Sequence, residues 1–67
     1  MTKLHKLLIQ RGMTQRELRQ MVIDKTGVDI QLYRISKIVT GQLTNYFTDT
    51  ARAIANALDV SIEEILE

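Results

Sequence analysis

The sequence predicts an all-α protein, a compact bundle of five short helices, and three observations carry that prediction. Proline is absent and aromatic residues make up 4% of the chain, so strand and kink signals are weak. The three glycines, at 12, 27 and 41, each follow an apolar run of helical spacing, where a left-handed residue closes a helix. Thr14-Gln15-Arg16-Glu17 and Ser61-Ile62-Glu63-Glu64 both have the capping-box form that opens one.

Helix 1 is expected over about Thr2 to Arg11. Thr2 can cap it, Leu4, Leu7 and Leu8 line one side, and Gly12 ends it. Helix 2 opens at Gln15 behind Thr14, with Met13 and Leu18 as a hydrophobic staple. It runs over about 15–25, burying Leu18, Met21 and Val22, and stops at Lys25-Thr26-Gly27. Asp29 is placed to cap helix 3, over about 30–40, whose Leu32, Ile35, Ile38 and Val39 form one apolar stripe. The β-branched content also suits a strand, but the spacing is nearer 3.6 than 2. Its other face carries Gln31, Tyr33, Arg34, Lys37 and Thr40. Residues 42–47 read as a loop. Helix 4 starts at Thr48 or Asp49 and turns Ala51, Ile54, Ala55 and Leu58 inward, with Ala53 and Ala57 allowing close approach of a neighbour. A short fifth helix follows Ser61, stapled by Val60 and Ile65.

A chain of 67 residues is expected to be a single domain, since it can bury only roughly 60% of its unfolded surface. It has no cysteine and one histidine, so neither a disulfide framework nor a zinc set is expected. No glycine-rich phosphate loop or nucleophile with a constrained base is present either, and neither an enzymatic activity nor a cofactor is expected. His5, with no partner in the pattern, is given no role. Hydrophobic content of 45% and charged content of 25% suit a soluble globular chain. The basic amphipathic start lacks the form of a secretory signal, and no apolar run approaches a membrane span, so a cytoplasmic location is expected.

The net charge of +1 hides an asymmetry. Residues 1–42 hold eight basic and three acidic side chains, a net +5, whereas residues 43–67 hold one basic and five acidic, a net −4. Such a division points to nucleic-acid binding by the basic part, with the acidic patch of Glu63, Glu64 and Glu67 kept away from it.

In order and spacing, Gly12-Met13-Thr14-Gln15 with Glu17-Leu18, then Ile35-Ser36-Lys37-Ile38-Val39-Thr40-Gly41, then Ala55-Asn56-Ala57-Leu58-Asp59-Val60-Ser61-Ile62-Glu63-Glu64-Ile65-Leu66, form a recognisable set. The chain resembles the helix-turn-helix of the lambdoid phage repressor and Cro proteins, the Xre family, from about Leu4 to Leu66. That resemblance implies a lambda-repressor-like DNA-binding domain spanning 1–67. Helix 3 would enter the major groove while helix 2 crosses the backbone. Gln31, Tyr33, Arg34 and Lys37 are then the candidates for reading bases. Thr14, Gln15, Arg16, Arg19, Gln42, Thr44 and Asn45 are the candidates for backbone contacts.

Three departures from the family pattern matter. The segment from Leu18 to Ile35 is several residues long for the family, so either the turn is extended or helix 3 begins earlier. Leu8 and Val39 stand where many relatives pair an arginine with a glutamate, and are expected to touch as an apolar replacement. Arg19 stands where the family favours a small alanine packed against helix 3, which suggests looser or re-aimed packing there.

The resemblance implies a small transcriptional regulator of phage or plasmid type, a repressor binding an inverted-repeat operator as a homodimer on double-stranded DNA, with no small-molecule effector. It would lie on the nucleoid of a bacterial or phage-infected cell. The dimer surface is expected at Ile62, Ile65 and Leu66, helped by Tyr46 and Phe47; the competing reading places these residues in the core of one chain. An antitoxin or protein-interaction adaptor on the same fold is the alternative function.

Overall fold

The computed structural model describes residues 1–43 and 48–66. Among them are four α-helices, α1 (Lys3–Arg11), α2 (Gln15–Thr26), α3 (Leu32–Thr40) and α4 (Thr48–Leu58), then a 3₁₀ turn at Ile62–Glu64, and no strand. The expected fifth helix is thus corrected to one turn. The Ser61 backbone N–H donates to a Glu64 carboxylate oxygen at 2.9 Å, as the capping pattern requires. The turn is closed by Ile65 N–H to the Ile62 carbonyl at 3.2 Å, a 3₁₀ bond. Side chains three apart line up on such a turn, so it suffices to aim both Ile62 and Ile65 at the core.

The helix ends follow the local chemistry of the sequence. The Thr2 hydroxyl accepts from the His5 N–H at 3.0 Å at the start of α1. Both bonds of the Thr14–Glu17 box are formed at the start of α2, at 2.9 and 3.1 Å. Gly12, Gly27 and Gly41 all lie at positive φ after α1, α2 and α3. Past α1, the N–H of Met13 reaches back to the Leu8 carbonyl. Past α4, that of Val60 reaches Ala55, with Asp59 taking the left-handed position at φ 59°. These are Schellman closures, which return the following apolar residue to the core.

The expected cap of α3 is also corrected. Asp29 does not cap it. Gln31 is the N-cap residue, without a side-chain hydrogen bond, and the helix begins at Leu32. The long segment between α2 and α3 is therefore an extended connection rather than an earlier helix. The Asp29 carboxylate is taken instead by Arg19.

One hydrophobic core joins these elements. It contains Leu4 and Leu8 from α1, Leu18 and Val22 from α2, Ile35, Ile38 and Val39 from α3, six residues of α4, and Ile65. α2 packs chiefly on α4 and also on α3, while α1 packs on α3. Leu8 and Val39 are both buried, at 3% and 1% exposure, so neither family ion-pair position leaves a charge to satisfy inside. Ile30, in the connection before α3, is buried as well. At the rim, the Thr2 hydroxyl donates to the Val39 carbonyl at 2.6 Å, and the Arg11 guanidinium donates to the Leu58 carbonyl at the end of α4.

Candidate nucleic-acid interface

Burial divides α3 lengthwise. Ile35, Ile38 and Val39 are buried and Leu32 half-buried, which leaves Tyr33, Lys37 and Thr40 on the solvent side. Tyr33 is 67% exposed, a large aromatic with its ring outside the core. One turn on, Lys37 holds its Nζ 5.8 Å from the Tyr33 ring centroid, within the range of a cation–π contact. Such a contact at an exposed site is weak, so both groups can leave it for another partner.

Arg34 lies at the border of the two faces. It is half-buried, and its Nε is buried without a hydrogen-bond partner. Gln31 is exposed at the N-terminal end of the helix. The structure therefore groups Tyr33 and Lys37, sets Arg34 beside them, and leaves Gln31 one step back. Ser36 and Thr40 also flank the outward side. Thr40 spends its hydroxyl proton within its own helix, on the Ser36 carbonyl at 2.8 Å.

At the start of α2, Thr14 and Arg16 are exposed and Gln15 is half-buried. The Thr14 hydroxyl accepts from the Glu17 amide, which leaves its own proton available to an acceptor in solvent. The Thr14 backbone amide, with a lesser contribution from its side chain, holds the Glu17 carboxyl below its ordinary value.

Gln42 is exposed just past the closing glycine of α3. Thr44, Asn45, Tyr46 and Phe47 lie outside the described residues. Arg19 does not project as a free rim cation. It donates from Nη2 to Asp29 Oδ1 at 2.8 Å and from Nε to the Ile30 carbonyl at 2.9 Å.

A family model for the Cro/C1-type HTH DNA-binding domain matches residues 3–67. The chain belongs to the Cro/C1-type helix-turn-helix family. No curated protein and no solved structure matches it. α2 and α3 both lie within the matched residues. No helix of the described residues is long and apolar enough to cross a membrane.

The supporting residues were the ones hidden from sequence reasoning. Ile30 looked like part of helix 3 and is instead an anchor of the connection before it. The departure at Arg19, which suggests looser or re-aimed packing, is the available signal there. The expected dimer residues differ in burial: Ile65, at 2% exposure, lies in the core of the single chain, as the competing reading of these residues has it. Ile62 and Leu66 are half-buried against the same core and keep part of their surface outside.

Proposed function

We propose that this Cro/C1-type domain is a sequence-specific transcriptional regulator, a repressor that binds an inverted-repeat operator as a homodimer. The observation that carries the reading is the outward face of α3, where Tyr33 and Lys37 stand together with Arg34 at their flank. Arg34 and Lys37 carry the donors to engage guanine O6 and N7, and Gln31 the amide to pair with adenine N6 and N7. Tyr33 can lie against a thymine methyl or send its hydroxyl to a phosphate. Gln15 and Arg16, with the Thr14 hydroxyl and Gln42, supply backbone contacts that fix register. Thr44 and Asn45 would extend these contacts from the loop.

The positive segment that contains α1 to α3 supports this reading, because a net +5 draws the duplex to that part of the chain. The test is a salt titration on duplex DNA in the presence of competitor. Binding is expected to fall steeply with salt and to survive competitor only for particular sequences. Equal binding to every duplex, or no binding at low salt, contradicts the proposal.

A further inference from the structure

We propose that Arg19 is a positioning residue for DNA recognition: it clamps the connection between α2 and α3 and so sets the pose of α3. This rests on the reading of α3 as the DNA-contacting helix.

The connection is long, and the ordinary means of fixing a helix entry are missing from it. Gly27 ends α2 at φ 74°, and the next residue is tied back by the Val28 N–H to the Thr26 hydroxyl at 3.2 Å. From there the chain must reach Leu32, and α3 begins without a side-chain cap. Two features hold the far end. Ile30 buries its side chain in the core. Arg19, from the body of α2, grips the backbone and the carboxylate immediately beside it, through Nε to the Ile30 carbonyl and Nη2 to Asp29.

The Ile30 carbonyl belongs to the peptide unit whose nitrogen is that of Gln31, the N-cap of α3. A peptide unit is planar, so holding its oxygen orients the N-cap residue from which the helix starts. Only a guanidinium offers two donors in a fixed fork for this task. The side chains of Arg19 and Asp29 are 30% and 63% exposed, so the clamp is accessible to solvent and of modest strength. Its role is geometric, since the positive charge of Arg19 is already offset by Asp29.

Arg19→Lys separates a clamp from a phosphate contact, because lysine keeps the charge and loses the fork. Asp29→Asn separates them in the opposite way: it makes the chain more positive and frees Arg19, which would strengthen a phosphate contact. The full chain and both variants are compared on a duplex selected by the wild type from a random pool, across a range of salt, with folding followed by circular dichroism. NMR residual dipolar couplings report the angle of α3 to α2.

Both variants are expected to fold, to change the α3 angle, and to lose roughly three- to ten-fold in affinity for the selected duplex at an unchanged log–log salt slope. Arg19→Lys binding like the wild type, with Asp29→Asn binding more tightly and the angle fixed in both, overturns the clamp. If the wild type selects no sequence, the DNA reading fails. The dipolar couplings still decide the clamp: a changed angle supports it and an unchanged one overturns it.

Discussion

Thr2 illustrates how much a single side chain can do in a chain this small. Its hydroxyl accepts from the His5 amide and donates to the Val39 carbonyl, so one oxygen both starts α1 and ties it to the end of α3. Thr2→Val removes both bonds and is expected to cost about 1–2 kcal/mol in denaturant unfolding, with Thr2→Ser close to wild type. Equal stability of the valine variant would show that neither bond matters. Glu17 makes a different prediction. Its carboxyl is held below the ordinary value near 4.5 by the Thr14 amide, so it favours the native state while ionised. That contribution is fully present above the ordinary value and is lost as the pH falls through the lowered one. Glutamine can form the same box without titrating. The stability difference between wild type and Glu17→Gln should therefore stay constant above about pH 4.5 and shift toward the glutamine variant below it. A difference that ignores pH contradicts the assignment.

At the scale of elements, helix positions were legible because they depend on neighbours in sequence. Thr14 and Glu17, and the glycines that close α1 to α3, are short-range devices, and each did what its spacing implied. The failures have one physical cause. Asp29 has the chemistry of a cap, but Arg19, ten residues earlier, competes for its carboxylate. The Arg11 bond to Leu58 and the Thr2 bond to Val39 likewise join residues far apart in the chain. Nothing local announces such partners. The site was legible to the same degree: the outward positions of α3 follow from its apolar stripe, while the support behind them does not.

Three predictions belong to the elements. Leu8 and Val39 are buried in the α1–α3 region, so Leu8→Arg places an uncompensated charge in the core and should cost roughly 3–5 kcal/mol. An unchanged melting temperature would count against that packing. On α3, alanine at Arg34 or Lys37 should each lower discrimination at one base position by about 1–3 kcal/mol. On α2, Arg16→Ala should weaken all sequences alike and reduce the salt slope by about one. Competition binding with single-base variants of the preferred duplex distinguishes the two outcomes.

For the whole molecule, size and charge distribution matter most. The described residues extend 26 × 25 × 23 Å, less than the roughly 34 Å between half-sites one helical turn apart. Two half-sites one turn apart would thus call for two copies, and Ile62 and Leu66 are among the apolar groups near the acidic end that retain exposed surface. Ile62→Asp should leave a folded chain that sediments as a monomer and binds one half-site weakly, whereas Ile65→Asp should unfold it. An Ile62→Asp dimer would move the interface elsewhere.

The most direct measurement of DNA reading by α3 is selection from a randomised duplex pool with the full chain at near-physiological salt. The predicted product is an enriched inverted repeat with half-site centres about one helical turn apart, whose preference Arg34→Ala alters. A pool that emerges without an enriched sequence, or one whose preference is untouched by changes at Tyr33, Arg34 and Lys37, would contradict it.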